Sequence, residues 1–340
     1  MAKSPKAPSP PAGGASTHVS PGSAPADEAN VLVEAEDAAP DDDDSGSDYS
    51  SIGGSSATTS VASSYLLPND ETEQERLDLT HHVFCLLLNG ALCVTQLEKP
   101  QNILDIGTGT GIWAIDISDL HPSATCTPQR LAPLSDRDKH QPEPDPDAMF
   151  QVDDATPEWM FPPDHFDFIH ARTLGGAIRD WPALLSSCFE HCRPGGHVEL
   201  VEGRPDFWCD DGSLTDMATA KWLAEFRRLA ASLDFDIAPK LPALLAGAGF
   251  VDVTTTQRVV PLGTSPKDAH LKEVGRWFRT QFIDMALEAY SLALFTRAGG
   301  WANIEFQVLL AKVREELKTN KIHLYTYTAF VTGRKPEASS

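Results

Sequence analysis

The sequence predicts an α/β fold of the doubly wound kind, and two observations carry that expectation. Apolar runs of strand length alternate along the chain with segments whose apolar residues recur at helical spacing. At one junction Asp105-Ile106-Gly107-Thr108-Gly109-Thr110-Gly111 leads from the apolar run Ile103–Ile106 into the helical pattern Ile112–Leu120. Glycines at every second position supply positive φ and leave the backbone bare where a ligand lies against it. The unpaired N–H groups that open the following helix suit an anionic or carboxylate-bearing group. A dinucleotide fingerprint needs G-x-G-x-x-G. Counted from Gly107, its third glycine falls on Ile112, which disfavours a nicotinamide or flavin cofactor.

Of the 340 residues 41% are apolar, enough for a sizeable core. The formal charge of −22 is unevenly placed, since residues 1–70 carry eleven acids against two lysines. An acidic balance argues against a phosphate backbone as partner, so no direct nucleic-acid contact is expected. Residues 1–64, rich in Pro, Ser, Gly, Ala and Asp, read as a disordered acidic tail. The six cysteines sit mostly in apolar or helical patterns and no secretory h-region opens the chain. Free thiols in a reducing compartment, cytoplasmic or nuclear, are therefore expected. The longest apolar run, Val83–Val94, is broken by Asn89-Gly90 and is too short to span a bilayer, so no membrane association is expected.

Taken in order, a helical pattern runs from Leu77 to Leu88. Its His81-His82 pair points about 100° apart around the helix, which favours helix surface or core over a metal site. Strand two should begin at Ser123–Cys126 and strand three at Ala148–Val152, the latter followed by Asp153-Asp154-Ala155. Phe166–Arg172 reads as strand four and puts His170 and Arg172 near its carboxyl end, where ligands of open α/β sheets gather. Trp181–His191 is the next helix, and Arg193-Pro194-Gly195-Gly196 turns into strand five, His197–Glu202. Cys188, His191 and Cys192 have no second ligand pair at zinc spacing, so buried thiols are favoured and no metal is expected.

Asp210–Leu214 is expected to cap a helix through Leu229, with another helix at Leu241–Ala248 and strand six at Phe250–Val260. Three helical stretches, Asp268–Phe282, Met285–Arg297 and Ile304–Leu317, intervene before a last strand, Ile322–Thr332. An insertion of that length, 268–320, reads as a substrate cover or as an extra packing layer.

Asp105–Gly111 resembles motif I of the class I S-adenosylmethionine-dependent methyltransferases, and the Pro-Gly-Gly step before strand five matches that class too. The resemblance narrows to the fungal LaeA-like methyltransferases, the group around the global regulators of secondary metabolism. It is carried by Leu67-Pro68-Asn69-Asp70-Glu71, Ile103–Ile115, Val152–Ala155, Phe166–Arg172 and Asp180-Trp181-Pro182. Further on come Arg193–Gly196, Asp210–Gly212, Leu271–Gly275, Phe295-Thr296-Arg297 and Gly333–Pro336, so the match runs in order over about 65–336.

The resemblance implies a Rossmann-like class I methyltransferase domain over 65–336. Its sheet would have seven strands, mainly parallel with the last antiparallel, and a helical insertion between strands six and seven. It implies S-adenosylmethionine as cofactor, with Gly107, Thr108, Gly109 and Gly111 against its methionine and ribose parts and Asp105 holding the site in place. Asp153, Asp154 and Ala155 would meet the adenine amino group. Strand two of the class ends in an acid that takes both ribose hydroxyls, whereas Cys126-Thr127-Pro128-Gln129-Arg130 carries none here. Asp136 or Asp138 would have to reach in from the following loop. A segment containing Tyr and Gly that usually precedes Leu67 is shortened as well.

The expected reaction is methyl transfer to an oxygen, nitrogen or carbon nucleophile of a small-molecule or protein acceptor, in or over fungal secondary metabolism. His170 is the candidate base because its ordinary pKa lies near working pH, with a structural part as the alternative. Arg172 is the candidate for a substrate carboxylate, or else for an acid at the sheet edge. Trp277 and Tyr290 are candidates for lining the acceptor pocket. Two readings from other classes stay open. One is a regulatory protein on this fold that works through protein partners in the nucleus with weak or no catalysis, which the missing strand-two acid favours. The other is a binder of a different adenosine-containing ligand without chemistry.

Overall fold

The computed structural model describes residues 71–130, 151–152, 159–178, 180–231 and 236–337. The acidic tail and Asp153-Asp154-Ala155 lie outside the described residues. The strands are β1 Asn102–Ile106, β2 Thr125–Arg130, β3 Gln151–Val152, β4 Phe166–Arg172, β5 Cys192–Gly203, β6 Val251–Leu262 and β7 Leu324–Arg334. They form one sheet in the order β3-β2-β1-β4-β5-β7-β6. Six of these strands have five residues or more, and the edge strand β3 has two. β1 pairs in parallel with β2 and β4, β2 with β3 and β4 with β5, while β7 runs antiparallel to β5 and β6. The expected sheet, parallel but for its last strand, is the sheet observed.

The central strands form because they can be buried on both faces. Ile103, Leu104 and Ile106 of β1 and Phe166, Phe168 and Ile169 of β4 have no exposed surface. Helices cover both sides: α1 Glu71–Leu87, α2 Ile112–Leu120, α3 Trp181–His191, α4 Ala218–Ala230, α5 Leu241–Ala248, α6 Ala269–Gln281, α7 Leu287–Ala293 and α8 Asn303–Lys318. α3 and α5 close one face around Leu104, Phe166, Leu184, Leu241 and Leu245. On the other, Trp113 and Ile117 of α2 pack on Ile103 and Phe168, and Val83, Phe84 and Leu87 of α1 pack on Val201, Val260 and Phe330. Local chemistry sets several ends. Asp180 and Asp268 accept the backbone N–H of Ala183 and Leu271 as N-caps of α3 and α6, at 2.9 and 2.8 Å. Gly249 ends α5 at φ 106°, a conformation in which other residues are strained.

β2 begins at Thr125, inside the expected Ser123–Cys126, and its parallel pairing carries it on to Gln129 opposite Ile106. Two expectations need correction. Asp210–Leu214 does not cap the next helix. α4 starts at Ala218, and Glu316 of α8 accepts the N–H groups of Ala218 and Thr219, both at 2.8 Å. Asp210 instead accepts the Tyr325 hydroxyl, and Asp211 holds His323 Nδ1 at 2.6 Å. Finally, the helix expected at Met285–Arg297 is α7 flanked by two π-helical turns, Phe282–Ala286 and Leu294–Ala298.

Candidate active site

The glycine loop leaves the carboxyl end of β1 between β2 and β4. Gly107, Gly109 and Gly111 have φ of 70°, 59° and 86°, so each takes the left-handed backbone that glycine adopts without strain. The Gln129 carbonyl of β2 accepts the N–H groups of Gly107 and Thr108 at 2.8 and 3.0 Å and fixes the start of the loop. Gly111 then forms the N-cap of α2 with no side-chain cap, leaving the helix's first N–H groups to whatever lies in front. Thr108 Oγ1 and Gln129 Oε1 are buried and have no hydrogen-bond partner among the described residues. Buried polar atoms are normally paired, so these two, beside bare glycines and an uncapped helix, fit a polar ligand lying along the loop. β2 ends in Gln129 and Arg130, an amide and a cation rather than a carboxylate.

Asp105 lies under this loop and is 2% exposed. Its Oδ1 is 2.8 Å from His170 Nδ1, because the β1–β4 register sets Asp105 directly opposite His170. The imidazole stacks on Trp113 of α2, with ring centroids 3.8 Å apart and ring planes nearly parallel. His170, 1% exposed, is thus a core group joined to Asp105 and to the start of α2, and it is not among the residues that line the cavity over the ends of β5, β6 and β7.

Arg172, two residues on, turns toward α1. Its Nη1 is 2.9 Å from His81 Nδ1, and its guanidinium lies 5.7 Å from the Phe84 ring centroid. Guanidinium has only donors, so His81 Nδ1 accepts; Nε2 then carries the hydrogen donated to Asp116 Oδ2 at 2.8 Å. Burial, with the neighbouring Arg172, pulls the His81 pKa below its ordinary value, which agrees with a neutral ring. The His81-His82 pair divides as expected of helix surface and core: His82 is exposed, and its ring meets Trp277 edge to face. No group of three or more His, Cys, Asp or Glu suited to a metal occurs among the described residues. Cys188 and Cys192 are fully buried thiols, and burial pushes Cys192 up to about 12.

A cavity of about 190 Å³ opens at the same sheet edge, over the ends of β5, β6 and β7. Val83 and Phe84 of α1, Trp222 and Phe226 of α4, and Phe278 and Phe282 of the insertion supply apolar side chains to its wall. Glu202 and Arg204, at and beyond the end of β5, and Gln281, at the end of α6, supply polar groups. Tyr290 lines it, held under the Arg76 guanidinium at 5.3 Å. Trp277 does not line it: it stands 36% exposed on the outer face of α6, donating to Glu273 Oε1 at 2.7 Å. Alternation around a helix turns Phe278 inward and its neighbour Trp277 out.

α1 joins the two regions. Leu77 reaches so near the loop that a Cβ on Gly109 would lie 3.1 Å from Leu77 Cδ1. Thr110 Oγ1 donates to Asp78 Oδ1 at 2.6 Å. Arg76 and Thr80, on either side, line the cavity. Glu202, Gln281 and the aromatic wall were not singled out from the sequence. For Glu202 a signal existed, since it is an acid at the carboxyl end of a strand, where such sheets place their ligands.

The chain matches the family model described as "Methyltransferase domain" over residues 79–255. It is 38% identical over 280 residues to methyltransferase pytC of Aspergillus terreus, covering 81% of this chain and 84% of that protein. It is 33% identical over 286 residues to secondary metabolism regulator LAE1 of Cochliobolus heterostrophus, covering 80% and 90%. To protein-methionine methyltransferase laeA of Emericella nidulans it is 32% identical over 278 residues, covering 80% and 72%. The strand order, the glycine loop and these likenesses agree, and the chain belongs to the class I S-adenosylmethionine-dependent methyltransferases, in the fungal LaeA-like family.

Proposed function

We propose that the glycine loop holds S-adenosylmethionine and that the neighbouring cavity holds the methyl acceptor, in an enzyme acting in or over fungal secondary metabolism. The observation that carries this is α1, whose consecutive residues Arg76, Leu77 and Asp78 wall the cavity and touch the glycine loop. Gly107, Gly109 and Gly111 give the cofactor a bare backbone, Thr108 and Gln129 offer it unpaired polar atoms, and Asp105, oriented by His170, holds the loop. Asp153, Asp154 and Ala155 are assigned the adenine end by the family resemblance. When bound, S-adenosylmethionine supplies an electrophilic methyl group on a sulfonium. The chain's own contribution is then alignment and exclusion of water, which alone accounts for much of the rate of such reactions. The insertion carrying Phe278, Gln281, Phe282 and Tyr290 is the acceptor's cover, within a catalytic domain spanning 65–336. Arg172 keeps α1 seated through His81.

Calorimetric titration with S-adenosylmethionine and S-adenosylhomocysteine tests this directly. Micromolar binding, about −8 kcal/mol, that Gly109→Trp abolishes supports the assignment; no binding by the folded chain overturns it. The second reading is a regulatory protein that works through protein partners in the nucleus or cytoplasm, and the acid-free end of β2 favours it. Failure to bind the cofactor is the outcome that reading expects. Among the described residues no helix is long and apolar enough to cross a membrane.

A further inference from the structure

Two buried acceptors on the cavity wall have hydrogen-bonding capacity left over. Glu202 is 4% exposed and accepts the N–H of Leu174 at 2.6 Å on Oε1 and that of Gly175 at 3.3 Å on Oε2. A carboxylate has about four lone-pair sites, so roughly half of its capacity is unspent. Gln281 Nε2 donates to Thr80 Oγ1 at 3.1 Å, while its buried Oε1 has no partner among the described residues. Both groups therefore invite a donor. The cations along the wall are engaged elsewhere. On α1, Arg76 forms a two-pronged pair with Glu73 at 2.6 and 2.7 Å, and beyond β5 Arg204 pairs with Asp236 at 2.6 Å. From the insertion Tyr290 is the titratable group on the wall, and β7 offers Thr326 and Thr328.

Size and shape narrow the occupant. About 190 Å³ lies between the roughly 150 Å³ that accommodates benzene and the roughly 300 Å³ at which drug-sized sites begin. Phe84, Trp222, Phe226, Phe278, Phe282 and Tyr290 surround this space with rings, and rings pack well against a flat apolar guest. A thioether fits poorly, because it has no proton to give Glu202 or Gln281.

Resting on the methyltransferase reading, we propose that the acceptor is a small phenol, taken into this cavity, and that Glu202 receives the proton of the hydroxyl that is methylated. The phenol oxygen gains the methyl carbon as the carbon–sulfur bond of the sulfonium breaks. Its proton passes to the Glu202 carboxylate, and the thioether leaves neutral. Burial pushes the Glu202 carboxyl up to about 7, which brings its basicity toward that required of a proton acceptor at neutral pH.

The test uses p-cresol and its methyl ether, 4-methylanisole, titrated calorimetrically into the full chain at pH 8 without cofactor. The wild type is expected to bind both. Glu202→Gln, of nearly the same shape, is expected to weaken p-cresol at least fivefold and 4-methylanisole less than twofold, with its circular dichroism unchanged. Equal binding of p-cresol to both proteins overturns the role of Glu202. Absence of binding of either compound to the wild type overturns the substrate class. Because cofactor binding is titrated separately, without the phenol, failure of this inference and failure of the methyltransferase site are told apart.

Discussion

At the β1–β2–β4 end of the sheet edge the chain presents backbone; at the β5–β7–β6 end it presents side chains. The glycine loop is a run of seven consecutive residues, Asp105–Gly111, shaped by positive φ and by one carbonyl of β2. The cavity is assembled from α1, α4, the ends of β5–β7 and the insertion, residues 76 to 328. Backbone recognition depends on conformation, so it tolerates few side chains. Side-chain recognition depends on distant elements arriving together, so it is free to vary in chemistry around a constant fold. That difference lets one fold keep its loop while the site beside it takes on different chemistry.

The comparison breaks most sharply at Glu202. Glu202→Gln is expected to lower methyl transfer to a phenol by 10²–10⁴-fold, the usual worth of a positioned proton acceptor, while cofactor affinity in calorimetry changes less than threefold. Next comes the converse, Gly109→Trp. It should weaken cofactor binding by about a hundredfold or more and cost about 1–2 kcal/mol for a side chain at positive φ, with p-cresol binding retained. A smaller, structural effect is expected from His170→Phe, which leaves buried Asp105 without its 2.8 Å partner. A loss of about 1–3 kcal/mol in denaturant unfolding, with p-cresol affinity unaltered, would match an orienting role, whereas a changed pH profile of p-cresol binding would contradict it.

Gln129→Glu sharpens the backbone side. A carboxylate at the end of β2 should tighten S-adenosylhomocysteine binding by roughly tenfold, about the worth of one charge-assisted hydrogen bond. No change would place the ribose away from Gln129. The last effect concerns stability alone. Burial raises the Glu202 carboxyl from 4.5 to about 7, so the folded state holds an extra proton between those values. Stability is therefore lost as pH rises through that window, and the loss is complete above it. Melting scans should show Glu202→Gln gaining on the wild type from pH 5 to pH 8.

The alternation of strands and helices, the glycine loop and the antiparallel last strand were legible in the sequence, as was the burial of Cys188 and Cys192. His170 and Arg172 were rightly placed on β4, but a strand pattern does not say whether a polar side chain meets a ligand or a neighbour. Strand register turned His170 to Asp105, and packing of α1 turned Arg172 to His81. Trp277 and Phe278 are adjacent on one amphipathic helix, and docking of α6 against α1 and β6 decided which of them faces the cavity.

What the sequence by itself determined is whatever rests on local conformation: glycines that allow positive φ, aspartates that cap α3 and α6, apolar runs that must be buried. What only the tertiary structure decided is whatever needs groups far apart in the chain to meet. Glu316 caps α4 across 98 residues, and Glu202 and Gln281 face one cavity from β5 and α6. Backbone preferences act between neighbours, whereas a buried carboxylate acquires its partners, its basicity and its use only after the elements around it have packed.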